Sequence, residues 1–274
     1  MLTPEALDIL SQSEAITAAN SVVDSVDSTA VALPESFKLH DLEPYKAHRR
    51  HARGNFDTSR IGDFAAYVAA HREEGATVFV ADTMQATAVL NLGVPTAAGH
   101  ADNTATLTLK PMAAFQALLN ITGKKLSQRD AAEFLEDWSE HITCKRGEDT
   151  VALGLAISAL RKLTIEASRK AETTVKSFGQ QATAFESVEA SSADPLPDYI
   201  FFKCVPYLGL ETRYFAARLG VLTGEAAPAI VLRVARMEQH TEEMRTELAQ
   251  LVAAAMEAEC DTVSVVLGSY RKLG

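Results

Sequence analysis

Between Ala76 and Lys110 the apolar residues of this chain alternate with polar ones; after Pro111 they recur every three or four positions. That change of period constrains the fold most, because one rhythm buries a strand face and the other a helix stripe. "ATVFVA", "ATAVLNLG" and "TATLTLK" are short β-rich runs separated by polar turns, and they predict an antiparallel meander. "PMAAFQALLNITG", "LSQRDAAEFLEDWSEHI" and "DTVALGLAISALRKLTIEAS" then predict a block of three helices. In the second of these, Ser127 and Asp130 stand at the spacing of a capping box, with Asp in place of Glu.

The period changes again in "ETTVKSFGQQATAFESVEA", which alternates around a glycine and predicts a polar hairpin; "SSADPLPD" is a turn-rich joint. "YIFFKCV", "ETRYFAARLGVL" and "PAIVLRVAR" form a second antiparallel strand group, with Thr223-Gly224-Glu225 as the turn between the last two. A long helix follows from Glu238 to Glu259, with Met244, Leu248, Leu251, Val252 and Ala255 on one side, and "DTVSVVLGSY" is a terminal strand. Ahead of the meander, "HARGNFDTS" is extended. Thr58 or Ser59 then caps a helix whose stripe is Ile61, Phe64, Ala65 and Val68, and Gly75 ends it. Strands in runs, then helices, then strands again, predict an α+β fold rather than a doubly wound parallel sheet.

Charge divides the chain before residue 37. Residues 1–37 hold Glu5, Asp8, Glu14, Asp24, Asp27 and Glu35 with no Lys or Arg, so six of the ten net negative charges sit there. Leu7, Leu10, Ile16, Ala19 and Val23 have roughly helical spacing behind Pro4, so residues 1–36 read as an acidic docking arm. The expected organisation is that arm, a mixed meander and helical region over 37–170, and a β-rich region over 171–274. The last two are separate or one composite domain. The arm lacks the basic start and apolar core of a signal peptide, and no run of about 18 apolar residues predicts a transmembrane helix. Cys144, Cys204 and Cys260 are odd in number and far apart, which predicts reduced, buried thiols and a cytoplasmic location.

One stretch runs against the overall acidity: Lys46, His48, Arg49, Arg50, His51 and Arg53 fall within eight residues. On a helix, Arg49 and Arg53 would share a face, as would Lys46 and Arg50, and clustered guanidinium groups hold phosphates by paired bonds. Lys46, Arg49, Arg50 and Arg53 are therefore the candidate phosphate- or partner-binding residues. The plainer reading pairs them with the chain's many carboxylates or with a neighbouring subunit's acidic arm, since no groove motif or interleaved aromatic accompanies them. His48 and His51 lack the further ligands zinc needs, and adjacent cations repel it. His100 beside Asp102 is a loop histidine of equally weak standing.

Glu133, Glu136, Asp137, Glu140 and His141 load one side of the helix around Trp138. No second Glu-x-x-His accompanies them, so they read as a solvated face, with Phe134, Leu135, Trp138 and Ile142 buried. Tyr199, Phe201, Phe202, Tyr207, Tyr214 and Phe215 have the chemistry to stack on bases but read as strand core. G-x-S-x-G, G-x-x-x-x-G-K-[ST] and G-x-G-x-x-G are all absent from the chain. The sequence assigns no catalytic residue, metal or cofactor.

"LPESFKLHDLEPY", "RGNFDTSRIGDFAAYV", "TMQATAVLNLG", "TATLTLK", "AEFLEDW", "TIEAS", "CVPYLGLETRYFAARLGVLTG" and "LRVARMEQ" resemble the YfdQ-like family of phage and prophage proteins. The resemblance runs from about residue 31 to 250. It implies a bacterial cytoplasm as the setting and supplies no mechanism. The expectation is a non-enzymatic homo-oligomeric phage protein whose ends dock on neighbours. The terminal strand, after so long a helix, either rejoins its own sheet or adds to another subunit. The alternative is a nucleic-acid-associated accessory protein of phage recombination or host takeover, with Arg49, Arg50 and Arg53 on phosphates.

Overall fold

The computed structural model describes residues 3–23, 43–163, 195–222 and 228–271. The chain divides into two units, Met1–Ala52 and Arg53–Gly274. Both expected domain boundaries, 36/37 and 170/171, lie outside the described residues, as does the expected polar hairpin over 172–190.

In the first unit, helix α1 (Pro4–Val23) precedes a single 3-10 turn at Glu43–Tyr45. Leu7, Ile9, Leu10 and Ile16 are all exposed. At 100° per residue they point to different sides, so the common apolar side expected from their spacing does not form.

The second unit opens with β1 (Gly54–Thr58), α2 (Ile61–His71), β2 (Thr77–Ala81) and β3 (Gln85–Val89). A small hairpin, β4 (Gly93–Val94) with β5 (Ala97–Ala98), leads into β6 (Asn103–Thr108). The meander is present: β2, β3 and β6 pair antiparallel in that order. It is flanked by two parallel strands that local pattern did not show. β1 lies parallel to β6, and β13 (Ser264–Leu267) parallel to β2, giving the order β1-β6-β3-β2-β13. Parallel neighbours need a crossover, and here helices supply it. α2 follows β1 directly, and β13 arrives after the long helix α6 (Met237–Glu259). The terminal strand thus rejoins its own sheet.

The predicted stripe of α2 holds: Phe64, Ala65 and Val68 are buried and Ile61 is half-buried. Its N-cap is Arg60 rather than Thr58 or Ser59; the Thr58 hydroxyl accepts a bond from the Arg60 N–H at 3.2 Å. On α6, Met244, Leu248, Val252 and Met256 recur every fourth residue as one buried line. The N-terminal part of α6 meets the second sheet, where His240 lies 4.9 Å from the Phe215 ring. Further along, α6 packs on α2, and Ala249 and Ala253 flank Val80 and Val265 of the first sheet. Both sheets therefore contribute to one continuous core.

A close backbone crossing locks the hairpin end of the meander. Gly93 has φ of +74°, and a methyl group there would overlap the Ala97 carbonyl oxygen and the Gly99 nitrogen. Beside it, the buried Asn91 side chain accepts the backbone N–H groups of Asp102 and Asn103 at 3.1 Å each and donates to the Asp102 carboxylate at 2.8 Å.

Between the sheets in sequence come α3 (Ala113–Ile121), β7 (Lys125–Leu126), α4 (Gln128–Asp137), β8 (Ile142–Arg146), β9 (Asp149–Val151) and α5 (Leu153–Arg161). β10 (Tyr199–Cys204), β11 (Arg213–Leu222) and β12 (Ala229–Val234) complete a six-stranded antiparallel sheet, β7-β12-β11-β10-β8-β9. Ser127 caps α4 as its spacing predicts, accepting the Asp130 N–H at 3.0 Å. The helix stops at Trp138 rather than running through Ile142, and the hairpin β8–β9 turns at Gly147, which has φ of +54°. Asp149 to Val151, read from sequence as helical, form a strand instead. β11 and β12 pair on either side of the expected Thr223-Gly224-Glu225 turn, which is itself outside the described residues.

Candidate functional site

The basic stretch is not a helix. After the 3-10 turn, residues 46–52 follow bends without regular structure. Like charges three and four apart oppose helix formation, and here Lys46/Arg49, Lys46/Arg50, Arg49/Arg53 and Arg50/Arg53 are all such pairs. The expected pairings of Arg49 with Arg53, and of Lys46 with Arg50, on shared helix faces therefore do not arise. Lys46, Arg49 and Arg50 are exposed in the first unit, where the Arg50 N–H meets the Glu43 carboxylate at 3.3 Å. Arg53 begins the second unit, with its Nε 3.6 Å from the Asp102 carboxylate.

Two of the carboxylates around Trp138 are engaged as surface pairs. Glu133 meets Arg129 at 2.6 Å, and Glu136 meets Arg161 at 2.8 Å. His141 stacks on Phe202 and its Nδ1 lies 2.8 Å from the Lys203 carbonyl oxygen. Among the described residues, no three His, Cys, Asp or Glu side chains group to hold a metal ion, and no helix is long and apolar enough to cross a membrane. The three cysteines are buried and free; burial pushes the Cys144 and Cys204 thiols up to about 11.

Where α6 meets β11, Arg213 is clamped by Glu243 at 2.7 Å and Glu247 at 2.8 Å. Glu247 also accepts the backbone N–H of Glu211. His240 sits beside this clamp. Burial holds its pKa below the usual histidine value of 6.5, Glu243 opposing and Arg213 reinforcing the shift. The unfolded chain then binds a proton that the folded chain refuses. Stability is complete above pH 6.5 and declines as pH falls from there toward the folded value. A His240→Gln variant is expected to lose less stability than the parent over that interval, read from urea midpoints; equally steep declines contradict the assignment.

The most unusual surface is the outward face of the six-stranded sheet. Side chains alternate across a strand, and the inward set is apolar: Ile200, Phe202, Phe215, Leu219, Ile230 and Leu232 are all buried. The register lays the outward set in rows. Lys145, Tyr199, Arg218 and Arg233 are successive partners across β8, β10, β11 and β12. Lys203 pairs with Tyr214, and Phe201 lies between Thr143 and Ala216. Lys125 faces outward on β7 opposite Val231. None of the six strands places Asp or Glu outward. Among the described residues, no ion pair engages Lys145, Lys203, Arg218 or Arg233.

The rings and cations of this face touch one another. Lys145 lies 5.6 Å from the Phe201 centroid, Lys203 lies 5.3 Å from that of Tyr214, and Arg218 lies 5.6 Å from that of Tyr199. Arg218 also donates to the Tyr199 hydroxyl at 3.0 Å. The aromatics expected in the core thus separate: Phe202 and Phe215 are buried, whereas Tyr214 is 59% exposed and Tyr199 and Phe201 are half-buried. The cations of the row were not singled out by sequence. Their signal is the absence of acid from one parity of the strands, visible only once that parity is known.

The second unit is thus two sheets sharing one helix, with a basic, aromatic outward face on one of them. The chain belongs to the family described as "Uncharacterized conserved protein (DUF2303)", which matches residues 5–270. No curated protein and no solved structure matches it significantly.

Proposed function

We propose that this chain is a non-enzymatic phage or prophage protein of the bacterial cytoplasm that works as a homo-oligomer, with α1 docking on another copy. The exposure of Leu7, Ile9, Leu10 and Ile16 on a single 20-residue helix carries this reading, because a helix with apolar residues on opposite sides gains stability only by being covered. Charge supports it too: residues 1–37 carry six acids and no base, while exposed Lys46, Arg49 and Arg50 offer a complementary surface on a second chain. Val266 and Leu267, 41% and 79% exposed on the edge strand β13, supply further apolar contact. The phage setting rests on the resemblance to the YfdQ-like family.

Light scattering of the whole chain is expected to give an oligomer. A Leu7→Glu/Leu10→Glu/Ile16→Glu variant and a chain of residues 37–274 are both expected to give smaller particles. A monomeric parent, or variants of unchanged size, overturns the proposal. A second reading, an accessory protein of phage recombination or host takeover acting on nucleic acid, is favoured by the exposure of Lys46, Arg49 and Arg50.

A further inference from the structure

We propose that the outward face of the six-stranded sheet binds single-stranded nucleic acid, with Tyr199, Phe201 and Tyr214 stacking on bases and Lys145, Lys203, Arg218 and Arg233 holding phosphates. This goes beyond self-association and uses residues distinct from the basic stretch at 46–53.

Charge segregation is the first argument. The chain carries a formal charge of -10, yet among the described residues the six strands direct Lys125, Lys145, Lys203, Arg218 and Arg233 to this face and no Asp or Glu. Arg218 and Arg233 stand directly opposite each other across β11 and β12. Like charges at such a position repel, so the pair is unfavourable until an anion lies between them. Both arginines, with Arg236, line a recess of about 410 Å³ that also includes Thr122, Gly123 and Glu238. Arg236 adopts the left-handed backbone conformation, φ +55° and ψ +38°, at the start of α6. Non-glycine residues in that region carry strain and gather at functional sites.

Ring placement is the second argument. Aromatic side chains on an open sheet are the surface on which unpaired bases stack, because every base has a π-face whatever its sequence. Tyr199 and Phe201, two apart on β10, have centroids 6.4 Å apart, roughly twice the 3.4 Å rise between nucleotides in one strand. An extended single strand can therefore set a base on each. Tyr214 on the neighbouring strand carries the path toward Lys203. The cations now resting over these rings are weakly held where exposed, so an arriving base displaces them toward the backbone phosphates. A duplex hides its base faces and offers phosphates only, so it should bind more weakly. An acidic peptide or an anionic bilayer would meet the charge but leave the rings unused.

The test measures fluorescence anisotropy of the whole protein with labelled oligothymidylate and oligouridylate of about 12 nucleotides, against a duplex of equal length. Anionic phosphatidylserine vesicles and polyglutamate serve as competitors. The parent is expected to bind both single strands at about 50 mM salt and the duplex at least about tenfold more weakly. A Phe201→Ala/Tyr214→Ala variant should lose affinity by about tenfold or more with an unchanged salt slope. An Arg218→Gln/Arg233→Gln variant should lower the slope of log affinity against log salt by about 1.4. Tyr214→Ala alone, at an exposed position, gives the same direction of change without risk to the fold. An Arg129→Gln variant, on α4 against the inward side of the sheet, should bind like the parent. Four results overturn the proposal: no binding to either single strand, duplex bound as tightly, ring variants binding like the parent, or vesicles or polyglutamate bound more tightly than the oligonucleotides.

Discussion

Phe202→Ala is expected to destabilise the second unit by about 3–5 kcal/mol, the cost of deleting a fully buried aromatic side chain and leaving its cavity. Phe202 has no exposed surface. It contacts Phe134 of α4 at 5.8 Å, Trp138 at 6.3 Å and His141 at 5.5 Å, so three rings lose packing together. Its neighbour Phe201, half-buried on the opposite face, is the internal control. Phe201→Ala should cost less than about 1.5 kcal/mol, because a partly solvated ring leaves no closed void. Urea midpoints of the two variants check this, and equal losses would show that the outward face is not open. The contrast also protects the binding experiment, which relies on Phe201 being removable without unfolding the sheet.

Gly93→Ala is expected to cost about 2–5 kcal/mol, from left-handed backbone strain added to overlap with immovable backbone. Gly123 makes the comparison decisive. Its φ of +73° matches the +74° of Gly93, but nothing lies within 4 Å of where its side chain would project. Gly123→Ala should therefore cost only the strain, about 1–2 kcal/mol. The difference between the two variants isolates the backbone crossing at Gly93. If both lose the same stability, the hairpin relaxes away from Ala97 and Gly99, and the close packing is not a constraint.

Much of the fold was legible because its signals are local. The meander announced itself by alternation, α4 by Ser127 and Asp130, and α6 by apolar residues at helical spacing. The flanking parallel strands were not, since the pairing of Gly54–Thr58 with Asn103–Thr108 is fixed by a crossover and by core packing. β8 escaped because Ile142 continues the apolar rhythm of α4, and only Gly147 marks the turn. The candidate site was half legible. The basic stretch was visible by composition, but its helical geometry failed against charge repulsion. In "YIFFKC" both parities carry aromatic or aliphatic side chains, so the sequence does not say which faces outward. The sheet register decides it, and with it the role of Tyr199, Arg218 and Arg233.

α6 touches Phe215 near one end and flanks Val80 and Val265 further along. Met244, Leu248, Val252 and Met256 belong to the one core that both sheets build, so detaching either sheet would open that core to water. Partial opening of one layer thus carries nearly the penalty of opening both. Amide protons in β3 and β11, far apart in sequence, should then exchange with solvent through one common, global event.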